Sequence, residues 1–467
     1  MNKIVDVDFS GLHSTDEALQ YIKDYEVYTE TIGDVWENCV IESVFSIFYS
    51  VCKAILINLM FGLVTSFAVP ALIFHCLSGL SGVYMLYSMS HSTVGLIIVF
   101  SYSVFTYLLL VVEVKLSSHS QTNQILLFIK NYNLITYQVI IVLVLFEYGV
   151  LDPEVWLSIR GVVMILTMKL ISLANDVKTE LFSIPSITEY FGYMFCGGNL
   201  LFGPWIKYKE YILLNQCHTV KSVWWIVGVA KALCLSLLCL SISNCWLHYF
   251  ISDESGGFIV GYKQALTFRT SHYFISYLSE ALMLAAGWKT FDKWSDNKHW
   301  EFRVTNPSAI EFPQALAIVV VNWNIPVHRF LKEYVYRKWL PLGKFYAILL
   351  TFVISSLLHG FEKKVSIVLI LIGLFSVMQM SVRDYFAQTF DSCIRVHPCR
   401  DCQHLFKRNS VVSKAAMFIF SCFTVVHLIY LGVIMDYSTD EVGLYQKWSD
   451  LYFISFWIMF MDILIVK

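Results

Sequence analysis

The chain has 467 residues, of which 57% are hydrophobic and only 15% charged, and its formal net charge is −2. Ordinary soluble domains carry about 25% charged residues, so a water-soluble globular protein is excluded. The near-neutral balance also speaks against a nucleic-acid partner.

Residues 1–38 form an acidic, polar leader. Within it Ser14-Thr-Asp-Glu17 reads as a capping box that opens a short interfacial helix through Tyr25. The first residues lack a basic n-region and a short apolar h-region, so the first apolar span is expected to serve as the targeting signal. From there on, apolar runs recur near the ~20 residues that a spanning helix needs. They lie at about 42–62, 67–88, 93–114, 133–149, 154–173, 223–246, 270–287, 345–361, 364–381, 411–436 and 450–466. Lipid leaves helices as the natural way to satisfy such backbone, and the short alternating segments of a β-barrel are not seen. The expectation is an all-α, polytopic bundle of roughly eleven transmembrane helices. Two stretches, 185–205 and 292–341, are broken by Gly, Pro and polar residues. They read as re-entrant or tilted segments around a central cavity, or as loops carrying surface helices.

The loop at 382–414 carries Arg383, Arg395, Arg400, Lys407, Arg408 and Lys414, and the one after 436 carries Asp436, Asp440 and Glu441. Lysine and arginine bias puts the first in the cytosol and the second in the lumen. The helix at 345–361 then starts on the cytosolic side and ends near the lumen. Twelve cysteines are scattered along the chain, many inside apolar runs, where they are more often small core residues than disulfide partners.

His359 ends an apolar run that begins at Phe345. An imidazole in lipid loses water and needs polar company, so it marks function more often than packing. Ser355 and Ser356 precede it on one helical face. Asn324, before Ile325-Pro326, is either a turn-former or the hydrogen-bond donor that a histidine base would need. Asn322 lies on the other side of Trp323 and points differently in a helix. His75, His248, His328 and His427 are weaker rivals to His359, with His328 the one to watch. The tract Cys393-Ile-Arg-Val-His397-Pro-Cys399-Arg-Asp-Cys402-Gln-His404 lacks a clean zinc spacing, so no metal is assigned. Its cysteines are read as S-acylation sites or reduced thiols.

Phe202-Gly-Pro-Trp-Ile206, the run Ser271–Glu280, Asn322-Trp-Asn-Ile-Pro326 and Ser355-Ser-Leu-Leu-His-Gly-Phe361 resemble the membrane-bound O-acyltransferases, continuously from about residue 158 onward. The resemblance implies that residues 39–467 form the transmembrane catalytic domain, with His359 as the central histidine and Asn324 as its polar partner. It further implies transfer of palmitoleate from palmitoleoyl-CoA to a serine of Wnt proteins at the endoplasmic reticulum membrane. No permanently bound cofactor is expected. Trp323, Tyr334, Ser355 and Ser356 are expected to line the substrate cavity, with Arg337 and Lys338 meeting the CoA phosphates. Two rival readings remain. One is a relative that acylates a lysophospholipid or sterol; the other is a transporter or receptor in which His359 relays protons.

Overall fold

The computed structural model describes residues 30–89, 92–118, 134–179, 181, 183–217, 220–289, 300–397, 399, 401–435 and 443–466. The helix expected at Ser14–Tyr25 lies outside them. The principal helices, in chain order, are α1 (Ile32–Val64), α2 (Ala71–Met89), α3 (Thr93–Lys115), α4 (Ile135–Val150), α5 (Pro153–Lys178), α6 (Ile187–Met194), α7 (Val223–Phe250), α8 (Gly257–Ala285), α9 (Leu316–Trp323), α10 (Ile325–Phe330), α11 (Lys344–Leu358), α12 (Lys363–Thr389), α13 (Val411–Met435) and α14 (Ile454–Val466).

Local chemistry sets several starts. Thr31 and Asp34 exchange side-chain and backbone bonds in a capping box at the head of α1. Asp152 caps α5 ahead of Pro153, and Glu362 caps α12 through the amides of Lys364 and Val365. Among the described residues there is no sheet; the one strand-like pairing is an isolated bridge between Ser392 and Phe406.

The expectation of eleven spans needs correction. Among the described residues, seven helices are long and apolar enough to cross a membrane: α1, α2, α3, α5, α7, α12 and α13. Three of the remaining runs form the shorter apolar helices α4, α11 and α14. The run at 270–287 belongs to α8, which has the length but is too polar. Its Lys263, Arg269 and Glu280 are buried, and each finds a partner in the protein interior. Lys263 meets Asp253 and the Ile251 carbonyl, Arg269 binds Glu311 at 2.8 and 2.9 Å, and Glu280 accepts from the Val304 amide at 2.6 Å. Burial of charge is tolerable where it is paired and hydrogen-bonded.

The outer helices carry large apolar side chains on their outward faces, among them Phe45, Tyr49, Met60, Phe100 and Trp457. Exposure on that scale suits lipid and not water. α5 is the most deeply buried of the seven long helices. Its Lys169 is buried, and Nζ donates to the carbonyls of Tyr193 and Met194 and to Asn199 Oδ1 at 2.8–3.0 Å. Those bonds fasten the Gly- and Pro-broken stretch after α6 to the bundle centre. Trp205 Nε1 donates to Ser172 and Ser279 Oγ to the Gly203 carbonyl, so α5 and α8 hold the same stretch from two sides.

One cysteine pair departs from the reduced state expected of the set. Cys39, in the first turns of α1, is disulfide-bonded to Cys245 near the end of α7. The partners are 206 residues apart, so no local spacing announces them.

Candidate active site

α11 ends at His359. The Gly360 and Phe361 amides turn back to the carbonyls of Leu357 and Ser356, and both residues take positive φ, +72° and +66°. Gly360 is suited to that backbone because it lacks a Cβ; one there would also meet Glu147 Oε2 at 2.9 Å. The helix therefore stops abruptly with His359 in the terminal turn.

A second helix is interrupted opposite. Asn324 has extended backbone angles between α9 and α10, with φ −143° and ψ 91°. Its Oδ1 accepts from the Val327 amide at 3.2 Å, an N-cap. The turn-forming reading of Asn324 is thus realised, and it fixes the other half of the side chain. With Oδ1 engaged, Nδ2 is the polar atom left over, and it makes no hydrogen bond among the described residues.

His359 and Asn324 line one cavity of about 360 Å³, within the ~300–1,000 Å³ typical of small-molecule sites. Its walls come from Met164 and Met168 of α5, Phe268, Arg269 and His272 of α8, Val319 and Trp323 of α9, Ser355 of α11, and Leu369 and Ile372 of α12. The lining is largely apolar with a few convergent polar groups, the arrangement expected of a site for an oily substrate.

Of the residues singled out in the sequence, His359, Asn324, Trp323 and Ser355 meet at this cavity, and His328 joins them. Ser356 does not: its Oγ donates to Ser366 Oγ at 2.6 Å and ties α11 to α12. Tyr334 lies elsewhere, with its hydroxyl 3.0 Å from both Asp176 carboxylate oxygens. Arg337 and Lys338 are exposed ahead of α11, at the opposite end of a helix about 22 Å long. Asn322 is occupied away from the cavity; its Nδ2 donates to the Ile318 carbonyl at 2.8 Å and its Oδ1 accepts from Asn306. Two rival histidines have structural partners: His75 with the Tyr211 hydroxyl at 2.8 Å, and His427 with Ser455 Oγ at 2.5 Å.

The sequence reading missed His272. Its ring stacks on Trp323 with centroids 4.3 Å apart and planes 10° apart, and Nε2 lies 3.0 Å from the Trp323 carbonyl oxygen. It thereby holds the residue just before Asn324. The available signal was a histidine inside the run read as apolar at 270–287, the same kind of signal that drew attention to His359.

A model of the membrane-bound O-acyltransferase family matches residues 54–406, which include Asn324 and His359. The chain is 34% identical over 339 residues to the protein-serine O-palmitoleoyltransferase porcupine of Anopheles gambiae, covering 66% of this chain and 68% of that protein. It is 32% identical over 352 residues to the Mus musculus protein of the same name, covering 69% and 76%. Lysophospholipid acyltransferase 2 of Arabidopsis thaliana is 27% identical over 245 residues, covering 43% and 52%.

Proposed function

The chain belongs to the membrane-bound O-acyltransferase family, and from that premise we propose that it transfers palmitoleate from palmitoleoyl-CoA to a serine of Wnt proteins at the endoplasmic reticulum membrane. It is an acyltransferase with several membrane spans. The observation that carries the catalytic reading is the meeting of His359 and Asn324, from two interrupted helices, at one apolar cavity. The names of the porcupine relatives support the serine acceptor and the palmitoleoyl donor.

In this reading neutral His359 takes the proton of the acceptor serine as its oxygen attacks the thioester carbon. Asn324 Nδ2 donates to the carbonyl oxygen as negative charge builds on it. The new C–O bond forms, the C–S bond breaks, and the proton on His359 passes to the departing CoA sulfur. His272 and Trp323 position the turn that carries Asn324. The acyl chain buries among the cavity's apolar side chains, each CH₂ contributing about 0.8 kcal/mol.

Two features support delivery from opposite sides. The basic residues at 382–414 favour the cytosol, the side from which Arg337, Lys338 and Lys344 would meet the CoA phosphates. Gly257, at the head of α8, approaches the Asp450 carbonyl, so the loop following α7 and the segment preceding α14 share the other face. The Cys39–Cys245 disulfide lies toward that face, at the end of α7, and disulfides persist in oxidising compartments such as the lumen. In sealed microsomes an impermeant thiol reagent should label Lys407→Cys directly but Glu254→Cys only after permeabilisation, each above the unsubstituted protein. The reverse pattern would invert the orientation and remove the proposed route.

The activity itself is tested with membranes given tagged palmitoleoyl-CoA and either a Wnt serine peptide or a lysophospholipid. Label should enter the peptide. Palmitoleoyl should also be preferred over palmitoyl, with a discrimination of roughly 1–3 kcal/mol set by pocket shape. Label in the lysolipid alone would assign the chain to the lipid-modifying branch instead.

A further inference from the structure

The loop between α12 and α13 has few buried apolar residues, yet hydrogen bonds tie its described residues together. Ser392 and Phe406 bridge across it, and the Cys393 amide donates to the Phe406 carbonyl at 2.8 Å. Arg383 Nε donates to the Ile394 carbonyl at 2.8 Å, and Arg408 to the Arg395 carbonyl at 3.0 Å. The Asp391 carboxylate receives the Leu405 amide at 3.0 Å and lies 2.9 Å from His404 Nδ1. Inside this frame the thiols of Cys393, Cys399 and Cys402 converge, with all three sulfurs within 4.8 Å of one another.

We propose that these three cysteines bind a zinc ion that clasps the loop. Zinc–thiolate bonds of ~2.3 Å in a tetrahedron put sulfurs about 3.8 Å apart, so a modest inward movement of the three side chains reaches bonding distance. The spacing alone did not suggest this, because Cys393 stands six residues before Cys399; the turn at the Ser392–Phe406 bridge brings it beside the Cys399-x-x-Cys402 pair. An odd number of converging thiols is not satisfied by disulfide pairing, and none of the three is disulfide-bonded. Cys393 is buried while Cys399 and Cys402 are half-buried, so a metal entering from the open side would find two thiols first and the third at the base. Binding replaces each thiol proton by a sulfur–zinc bond, and the protons leave to solvent. The ion would supply the loop with the cohesion that a hydrophobic core would otherwise give.

The test uses the full-length protein purified in detergent without added metal and passed over a chelating resin. Elemental analysis should find about one zinc per chain, falling to background in the Cys399→Ser/Cys402→Ser double variant. Because that variant could misfold, the wild-type protein supplies a second measurement. Stripping zinc with a strong chelator should expose three additional thiols to a maleimide reagent, and re-adding zinc should protect them again. Zinc at background in the wild-type protein would overturn the proposal. Equal zinc in wild type and double variant would do the same, as would thiols that hydroxylamine releases from acyl groups.

Discussion

Replacing His359 with alanine should lower acyl transfer by about 10²–10⁴-fold, the usual span of general-base catalysis. The ring terminates α11, but its backbone bonds survive in alanine: the His359 and Gly360 amides still reach Ser356 and Leu357. Protein level and donor binding should therefore stay close to wild type, and the loss should fall on turnover. A tagged-donor transfer assay at matched protein amounts measures it. Near-normal turnover of His359→Ala would remove the proposed base.

Asn324 should produce the second-largest loss, and its two roles can be pulled apart. The side chain caps α10 through Oδ1, and alanine there would cost ~1 kcal/mol of helix stability as well as the donor. Aspartate keeps an oxygen for the Val327 amide but has no Nδ2. Asn324→Asp should therefore leave the fold intact while reducing transfer by about 10²–10³-fold, the effect of deleting one oxyanion donor. Asn322→Ala should instead lose the bonds to Ile318 and Asn306 and show mainly reduced thermal stability. A larger turnover loss from Asn322→Ala than from Asn324→Asp would show that the donor was assigned to the wrong side of Trp323.

The apolar runs made a helical membrane bundle legible from the sequence, because oiliness over a helix length survives any change of neighbours. Their number was not legible. Hydropathy says nothing of the Glu311 and Asp253 partners that let Arg269 and Lys263 sit inside α8, nor of how far α4, α11 and α14 fall short of the longer spans. Chemistry was visible where a residue type is unusual for its surroundings, as with His359 and Asn324. Direction was not visible. Ser355 and Ser356 are adjacent, yet one reaches the cavity and the other reaches α12. Tyr334 lies on the helical run that Asn324 caps, but it turns to Asp176. Contacts between distant segments left the faintest trace: the Cys39–Cys245 bond and the stacking of His272 on Trp323 join residues whose local sequences contain no hint of each other.

The two helix breaks at the cavity have opposite polarity. Asn324 stands at the amino end of α10, whose helical run continues through the π-helical turn at Leu331–Tyr336, and His359 stands at the carboxyl end of α11. Aligned peptide dipoles make an amino end partly positive and a carboxyl end partly negative. Acyl transfer of the kind proposed separates charge, with a cation growing on the imidazole and an anion on the thioester oxygen. Each would develop beside the pole that favours it, at roughly 0.3–1 kcal/mol per end at exposed sites and up to ~2 kcal/mol where solvent is partly excluded. The backbone itself would thus be polarised in the sense of the reaction before any substrate arrives.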